Sequence, residues 1–395
     1  MLNAHQKSIV SATVPLLESG GEALTTHFYG LMLSEHPEVR PLFNQAHQAS
    51  GDQPRALANG VLMYAKHIDR LEALGPLAQQ IVSKHVALQV QPEHYPIVGA
   101  CLLRAIREVL GSEIATDEVI EAWAAAYGQL ADMLIGAERQ VYNSNAEAPG
   151  GWRGGRAFKV VRKEIESDEI TSFYFEPVDG QPVIDFRPGQ YIGIRLVVDG
   201  QDIRRNYSLS AAPNGKSYRI SVKREQGGVA SGHLHERVHE DSVVELFPPS
   251  GAFTLEPGER PLVLISGGVG ITPTLAMLDA ALNTSRVVHF IHCARNRGVH
   301  AFRHTIEALA RKHPQLKRFY CYEEANAGAP DAPHAVGRLD AQTLAGWLPA
   351  GTTDIDAYFL GPKPFMKQVK SALRALGVPE PQLRYEFFGP ASALE

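Results

Sequence analysis

The chain has 395 residues, enough for two or three domains, and 44% of them are apolar, which argues against a disordered protein. Its formal net charge of −5 argues against a general nucleic-acid binder, which would present a basic face. Three widely separated cysteines give no disulfide framework or cysteine zinc site and favour a reducing compartment. The N-terminus shows no basic patch and no apolar signal core, and an uncharged run at residues 262–278 holds glycines and a proline. We therefore expect a cytoplasmic protein without stable membrane association.

Helices are predicted from the N-terminus to residue 142. Apolar residues recur at intervals of three and four over 53–64, 77–88 and 117–142, as on one face of an α-helix. Residues 143–151, which are rich in Asn, Pro and Gly, are typical of a linker. Because a buried polar group without a partner costs about 1–3 kcal/mol, polar side chains on these apolar stripes need a specific role. They are Gln53, His85 and Glu138, with Tyr29 and Tyr95 among apolar neighbours.

His85 has two interpretations. A lone histidine on a helix is most often a core residue that hydrogen-bonds a neighbouring helix. Alternatively, one ring nitrogen binds iron while the other donates to a second group. A carboxylate at Glu138 favours the iron ligand, because a buried carboxylate needs a cation or donors, and His85 and Tyr95 supply donors.

Residues 152–258 predict an antiparallel β-barrel. Short strand-like runs at 157–165, 169–176, 190–198, 204–210, 217–224 and 243–247 are separated by turns. Arg205 and Tyr207 share one face of the fourth run, either as exposed barrel residues or as part of a flavin site. In a flavin site, Arg205 neutralises a diphosphate, Tyr207 stacks on the isoalloxazine and Ser208 hydrogen-bonds a ring nitrogen. The glycine turn at 227–231, ahead of a helix predicted at 231–238, suits a phosphate and favours the flavin site.

Residues 259–395 predict an α/β domain with a parallel sheet. Strand-like runs at 262–266, 287–293, 318–322, 356–360 and 383–388 alternate with helical segments. The first run leads into a glycine turn and a helix start that suit the pyrophosphate of NAD(P)H. That turn consists of Gly268, Val269, Gly270, Ile271, Thr272 and Pro273. Arg295, Arg297 and Arg303 after the second run leave NADH and NADPH both open, with a preference for NADH.

Taken as a set, these motifs resemble the flavohaemoglobins, in which a globin is fused to a reductase of the ferredoxin-reductase type. The resemblance covers residues 1–142 and about 152–390. Its globin motifs are Tyr29, Phe43, Gln53, Leu57, Lys84, His85, residues 92–95, residues 123–128 and Glu138. Its reductase motifs are residues 188–191, 205–210, 227–231, 267–273 and 385–390. The chain departs from the family pattern at Gly232, usually asparagine, and at Leu360, usually cysteine.

The resemblance implies a role for each matching residue. His85 is the proximal iron ligand, and Tyr95 and Glu138 tune the iron through it, with Lys84 alongside. On the distal side Tyr29 and Gln53 stabilise bound oxygen, Phe43 packs on the porphyrin and Leu57 gates access. Flavin contacts are implied for Tyr191, Arg205, Asn206, Tyr207, Ser208, Gly228, Ser231, Glu386, Phe387, Phe388, Gly389 and Pro390.

The resemblance also implies haem b, FAD and NAD(P)H as cofactors and a nitric oxide dioxygenase as the activity. Electrons would pass from NAD(P)H to FAD and singly to haem, and O₂ would oxidise nitric oxide to nitrate. We expect a monomer whose partners are these two small substrates. Two alternatives are an oxygen carrier or gas sensor, and a reductase of alkyl hydroperoxides or other acceptors.

Overall fold

The computed structural model describes residues 2–43, 51–324 and 332–389, which belong to two compact units. The first unit holds the chain up to Ala148, together with Asp199–Arg205 and Gly389. The second unit holds Pro149–Val198 and Asn206–Phe388. No helix within the described ranges has the length and apolarity needed to span a bilayer.

Within the described ranges, the first unit has six α-helices. They are α1 (Ala4–Ala12), α2 (Val14–Glu35), α3 (Asp52–Lys66), α4 (Gly75–Leu88), α5 (His94–Leu110) and α6 (Asp117–Glu147). The side chains of Asn3 and Thr116 cap α1 and α6 by accepting N–H groups of the first turn. A core that includes Phe28, Met32 and Trp123 fills the space between the helices.

Helix α6 is longer than the sequence predicts. Asn143 to Glu147, which we expected in the linker, continue the helix, so only residues 148–151 of the predicted linker are non-helical. Tyr142 explains the extension, because its buried ring packs in the core and its hydroxyl donates to the Val90 carbonyl at 2.7 Å. This tertiary contact outweighs the low helix propensity of the asparagines that follow. The helix ends at Glu147, and Ala148 is extended because the following Pro149 disfavours an αR backbone there.

Helices α5 and α6 approach closely at Gly99. A Cβ atom at this position would lie 2.6 Å from a ring carbon of Tyr127. The hydroxyl of Tyr127 is fixed by donating to the Tyr95 carbonyl at 2.7 Å, so the ring has little freedom to move away.

We predict that Gly99→Ala lowers the free energy of unfolding by about 1–3 kcal/mol, as overpacking does elsewhere. Denaturant unfolding measures this change. Gly136→Ala is the matched control, since its Cβ on α6 meets nothing within 4 Å. The control should gain up to about 1 kcal/mol from helix propensity. Equal responses of the two variants would contradict the packing explanation.

A six-stranded sheet begins the second unit. Its strands are β1 (Arg156–Ile165), β2 (Ile170–Pro177), β3 (Tyr191–Val198), β4 (Gln201–Ser208), β5 (Tyr218–Lys223) and β6 (Val243–Leu246). Their order is β4-β3-β6-β1-β2-β5, and the β1–β2, β1–β6, β2–β5 and β3–β6 pairs are antiparallel. Inward-facing residues such as Phe158, Phe173 and Ile194 are fully buried, as period-two alternation requires.

Helix α7 (Val229–Arg237) follows β5 and is fixed at its C-terminal end by Lys163 of β1. The Lys163 ammonium donates to the carbonyls of His235 and Val238, each at 2.7 Å. A cation suits this end of a helix because it meets carbonyls that no later residue of the helix satisfies. Burial lowers the pKa of Lys163.

The second sheet is parallel and lies between two hydrophobic layers. Its strands β7 (Leu262–Gly267), β8 (Val288–Ala294), β9 (Leu316–Tyr322), β10 (Ala335–Val336), β11 (Asp356–Leu360) and β12 (Leu383–Tyr385) have the order β10-β9-β8-β7-β11-β12. The helices are α8 (Ile271–Leu282), α9 (Arg303–Lys312), α10 (Ala341–Trp347) and α11 (Lys363–Ala375). Strand β12 stops at Tyr385 rather than at residue 388, and its last pair with β11 is Tyr385 with Phe359.

Candidate functional site

Three polar side chains meet inside the helical unit. His85 lies in the last turn of α4, Tyr95 in the first turn of α5, and Glu138 on the inner face of α6. The Glu138 carboxylate is only 2% exposed, and its Oε1 lies 2.7 Å from His85 Nδ1 and 2.6 Å from the Tyr95 hydroxyl. The structure thus brings together three of the residues that the sequence singled out.

The hydrogen bonds of this cluster orient the imidazole. The Tyr95 hydroxyl donates to Glu138, and burial together with the carboxylate raises the pKa of Tyr95, so the phenol keeps its proton. A carboxylate only accepts, so His85 Nδ1–H donates to Glu138. His85 Nε2 has no hydrogen-bond partner among the described residues. An imidazole that donates through Nδ1 can bind iron through Nε2, so the cluster fits a haem.

Tyr29 supplies a second buried hydroxyl in the same unit. Its side chain packs edge-on against Phe28 and Phe43, with ring centroids 4.9 and 5.6 Å away. Burial raises the pKa of Tyr29, so the phenol stays protonated and remains a donor. Its hydroxyl has no hydrogen-bond partner within the part of the chain that the structure describes. A buried donor of this kind suits a small ligand that can accept a hydrogen bond.

The other predicted haem residues lie on the same helices. Gln53 is in the first turn of α3 and is partly buried, and Leu57, one turn later, packs against the apolar core. Lys84 precedes His85 on α4, and its ammonium donates to the carbonyl of Gly389 at 2.5 Å. The structure therefore places Lys84 beside the C-terminal segment that belongs to this unit.

Several predicted flavin residues lie around β3, β4 and α7. Tyr191 at the start of β3 is buried, and burial raises its pKa, with a smaller contribution from Glu386. Ser208 ends β4 as a buried residue, and Asn206 and Tyr207 precede it on the same strand.

The glycine turn before α7 is held by Ser231. The Oγ of Ser231 accepts the N–H of Glu225 at 3.2 Å and donates to the Gly228 carbonyl at 3.3 Å. Gly227 has a φ of +71°, which a glycine adopts without strain. The turn therefore presents N–H groups at a helix start, the arrangement that binds phosphate.

The remaining predicted flavin residues are divided between the two units. Arg205 belongs to the first unit, where its Nη1 donates to the Arg204 carbonyl at 2.7 Å. Phe387 packs edge-on against Tyr385, with ring centroids 5.9 Å apart, whereas Phe388 is 49% exposed. Pro390 lies outside the described residues.

The predicted nucleotide turn joins β7 to α8. Gly268 has a φ of +54°, and Gly270 lies so close to the next strand that a Cβ would be 2.4 Å from the Leu360 carbonyl oxygen. Only glycine fits that approach. The Thr272 hydroxyl donates to the Val269 carbonyl at 3.0 Å and fixes the turn. The N–H of Ile271, the first residue of α8, already donates to the Gly268 carbonyl, so anion binding at this helix start stays a prediction.

The arginines after β8 already have partners. Arg295 pairs with Glu169, and Arg303 donates to the Tyr322 hydroxyl at 3.0 Å and lies over the Tyr320 ring. These contacts leave the nucleotide preference a prediction.

Two supporting groups near the sites were missed by the sequence reasoning. Tyr127 holds the Tyr95 backbone through its hydroxyl. Ser266 Oγ, at the end of β7, lies 2.8 Å from Nδ1 of the fully buried His292. Both contacts join residues of different elements, and no local spacing predicts them. A polar residue inside an apolar strand, such as His292, was the available signal.

Comparison with known proteins agrees with these observations. Three family models match the chain: Globin over residues 26–134, the oxidoreductase FAD-binding domain over 157–255 and the oxidoreductase NAD-binding domain over 264–371. A flavohemoprotein of Pseudomonas putida is 69% identical over 395 residues, covering all of both chains. The crystal structure of a Malassezia yamatoensis flavohemoglobin with bound FAD and heme has a TM-score of 0.86 at 27% identity, and covers 98% of this chain and 100% of that one.

A solved FAD/NAD-binding domain of a nitric oxide dioxygenase from Vibrio cholerae is 38% identical, with a TM-score of 0.55, and covers 60% of this chain and all of that one. The matches confirm the predicted fold class, a globin followed by FAD- and NAD-binding domains. With it they confirm haem, FAD and a nicotinamide nucleotide as the cofactors of an oxidoreductase. Since the similarity to the Pseudomonas putida protein runs from end to end, the chain belongs to the flavohemoprotein family.

Proposed function

We propose that the chain is a nitric oxide dioxygenase, which uses NAD(P)H to convert nitric oxide and O₂ to nitrate. The observation that carries the proposal is the His85–Glu138–Tyr95 cluster in a globin whose chain also holds both reductase domains. The Vibrio cholerae relative, described as a nitric oxide dioxygenase, supports the same activity. When bound, haem supplies oxygen binding and one-electron chemistry, and FAD divides a hydride into single electrons.

The proximal residues set the character of the iron ligand. Glu138 accepts the Nδ1 hydrogen of His85 and holds the ring with Nε2 toward the metal site. A carboxylate at this distance makes the imidazole a stronger electron donor. Tyr95 donates to the same carboxylate oxygen and so fixes its position. We assign His85 as the ligand and Glu138 and Tyr95 as the residues that tune it.

The distal residues receive the gaseous substrates. Tyr29, held protonated by burial, would donate a hydrogen bond to oxygen at the haem, and Gln53 would be a second polar group there. Phe43 and Leu57 line the site with apolar surface, which keeps water out and admits O₂ and nitric oxide. Fixed donors in such a dry site stabilise developing negative charge strongly.

The reductase residues hold the flavin and the nucleotide. We assign Tyr191, Tyr207 and Ser208 to the flavin ring and Arg205 to its diphosphate. The turns at 227–231 and 268–273 bind the phosphates of FAD and NAD(P)H through backbone N–H groups. Residues 1–142, 152–258 and 259–395 are the proposed domains, with the first helical region extended by α6 to residue 147. We also propose a cytoplasmic monomer, and the free thiols of its three cysteines agree with a reducing compartment.

The test is nitric oxide consumption by the purified holoprotein in the presence of NADH and O₂. Each nitric oxide that becomes nitrate needs one electron, so we expect two nitrates for each NADH oxidised. Oxygenated protein that is mixed with nitric oxide in a stopped-flow instrument should form nitrate rapidly after mixing. Persistence of nitric oxide would favour an oxygen carrier or sensor. Faster NADH oxidation with alkyl hydroperoxides than with nitric oxide would favour the reductase alternative.

We predict that Tyr29→Phe speeds O₂ dissociation by about two- to tenfold, the value of one hydrogen bond. Flash photolysis or ligand displacement measures this rate. Tyr64→Phe is the control, because Tyr64 is a buried tyrosine of the same unit whose hydroxyl donates to the Ala126 carbonyl at 2.8 Å, and burial raises its pKa to about 12. The control should lose stability and keep its O₂ dissociation rate. An unchanged rate in Tyr29→Phe would remove Tyr29 from the oxygen site.

A further inference from the structure

Two of the three cysteines lie side by side at one end of the parallel sheet. Cys293 is near the end of β8 and Cys321 near the end of β9, and the two are direct partners in the register of these strands. Paired residues on neighbouring strands point to the same face, with Cα atoms about 4.8 Å apart. That spacing lies within the range of about 4.4–6.8 Å that disulfides span.

The two side chains also influence each other. The neighbouring Cys293 side chain lowers the pKa of the Cys321 thiol. Cys321 Sγ lies 3.2 Å from the Gly337 carbonyl oxygen, which fixes its orientation toward the sheet face. Cys321 is buried, and Cys293 is partly exposed. Neither thiol has a role in the proposed reaction.

The pair adjoins the proposed nucleotide turn. Cys293 is paired in register with Gly267 on its other side, and Gly267 leads directly into the turn at Gly268–Gly270. The preceding residues of these two strands are joined as well, through Ser266 Oγ and His292 Nδ1 at 2.8 Å. A change in the position of the end of β8 therefore reaches the turn through backbone pairing and one side-chain bond.

We propose that Cys293 and Cys321 form a redox-sensitive dithiol, which a hydroperoxide oxidises to a disulfide and which in that state weakens use of the nicotinamide nucleotide. The proposal rests on the nucleotide role that we assign to residues 268–273. The relevant ligand class is a small peroxide, which can pass the partly exposed edge of Cys293.

The oxidation of the two thiols balances with the peroxide as the only oxidant. The Cys321 sulfur attacks one peroxide oxygen, the O–O bond breaks, and a sulfenic acid and one molecule of water (or alcohol) result. Cys293 then attacks the oxidised sulfur, the S–O bond breaks, and a second water leaves with the two remaining protons. In sum, two thiols and one hydrogen peroxide give one disulfide and two waters.

A disulfide draws the two sulfurs together to about 2.05 Å. The end of β8 then moves toward β9 and away from Gly267, because these strands flank it on opposite sides. The glycine turn loses part of its support, and we expect the KM for NADH to rise while the flavin stays bound.

The experiment compares the reduced holoprotein before and after treatment with hydrogen peroxide. In the wild-type protein the titratable thiols should fall from three to one, and mass spectrometry should find a peptide joining Cys293 to Cys321. The KM for NADH, measured with ferricyanide as the acceptor, should rise about fivefold or more and return with dithiothreitol. Ferricyanide takes electrons from the flavin, so peroxide damage to haem does not enter this measurement.

Two variants distinguish oxidation of this dithiol from oxidation elsewhere in the protein. Cys293→Ser should keep its KM after peroxide, whereas Cys101→Ser, which alters the buried cysteine of α5, should respond as the wild type does. Absence of the joined peptide, or a joined peptide with an unchanged KM, overturns the proposal. A reduced wild-type protein that shows no saturable reaction with NADH would instead overturn the proposed function.

Discussion

His85→Ala should remove most of the haem from the purified protein, with haem content falling by roughly tenfold or more. The free Nε2 of His85 is the one nitrogen of the Glu138 cluster whose lone pair is available to iron, and the substitution removes it. Haem content per polypeptide, from the pyridine haemochrome, measures the result. Flavin content should remain normal, because the FAD-binding domain lies elsewhere in the chain.

Two further measurements distinguish loss of the iron ligand from misfolding of the variant. Imidazole added during reconstitution should restore a haem spectrum, because it fills the space left by the side chain. His27→Ala is the matched control, since His27 also pairs with a glutamate, Glu108, at 2.6 Å, but on the exposed surface. Full haem content in His85→Ala would refute the ligand assignment.

Glu138→Gln should lower the turnover of nitric oxide by about tenfold while haem stays bound. A neutral amide oxygen accepts from His85 Nδ1 more weakly than a carboxylate does, so the ring becomes a poorer donor to iron. The amide also brings N–H groups into a site that is 2% exposed and already filled by donors, at a cost of about 1–3 kcal/mol in stability.

The iron–histidine stretching frequency in resonance Raman spectra gives a readout that a structural role alone would not move. We expect it to fall in Glu138→Gln. Glu108→Gln changes the exposed histidine–glutamate pair instead and should leave both frequency and turnover unchanged. If Glu138→Gln kept the wild-type frequency, Glu138 would be a structural residue without influence on iron.

The globin site could be predicted in good part because polar residues on apolar helical stripes have few explanations. His85 and Glu138 lie on stripes of α4 and α6, and the structure joins them directly, with Tyr95 bound to the same carboxylate oxygen. The support from Tyr127 could not be predicted, since it depends on the close approach of α5 and α6 at Gly99.

Element ends were the least predictable feature of the fold. The composition of residues 143–147 favours a linker, yet a tertiary contact of Tyr142 extends α6 through them. The run at 383–388 has the composition of a strand, but β12 can pair only as far as β11 continues. Composition records local preference, whereas these limits are set by the neighbouring element.

Chemical labelling of Lys163 can report on the joint between β1 and α7. Because burial lowers the pKa of Lys163, its amine is neutral in a larger fraction of molecules than the amine of an exposed lysine. Its nitrogen, however, donates hydrogen bonds to the carbonyls of His235 and Val238. An acylating reagent can therefore react with Lys163 only after the end of α7 detaches from it. The rate at which Lys163 is acylated, relative to exposed lysines, reports how often this corner of the molecule opens.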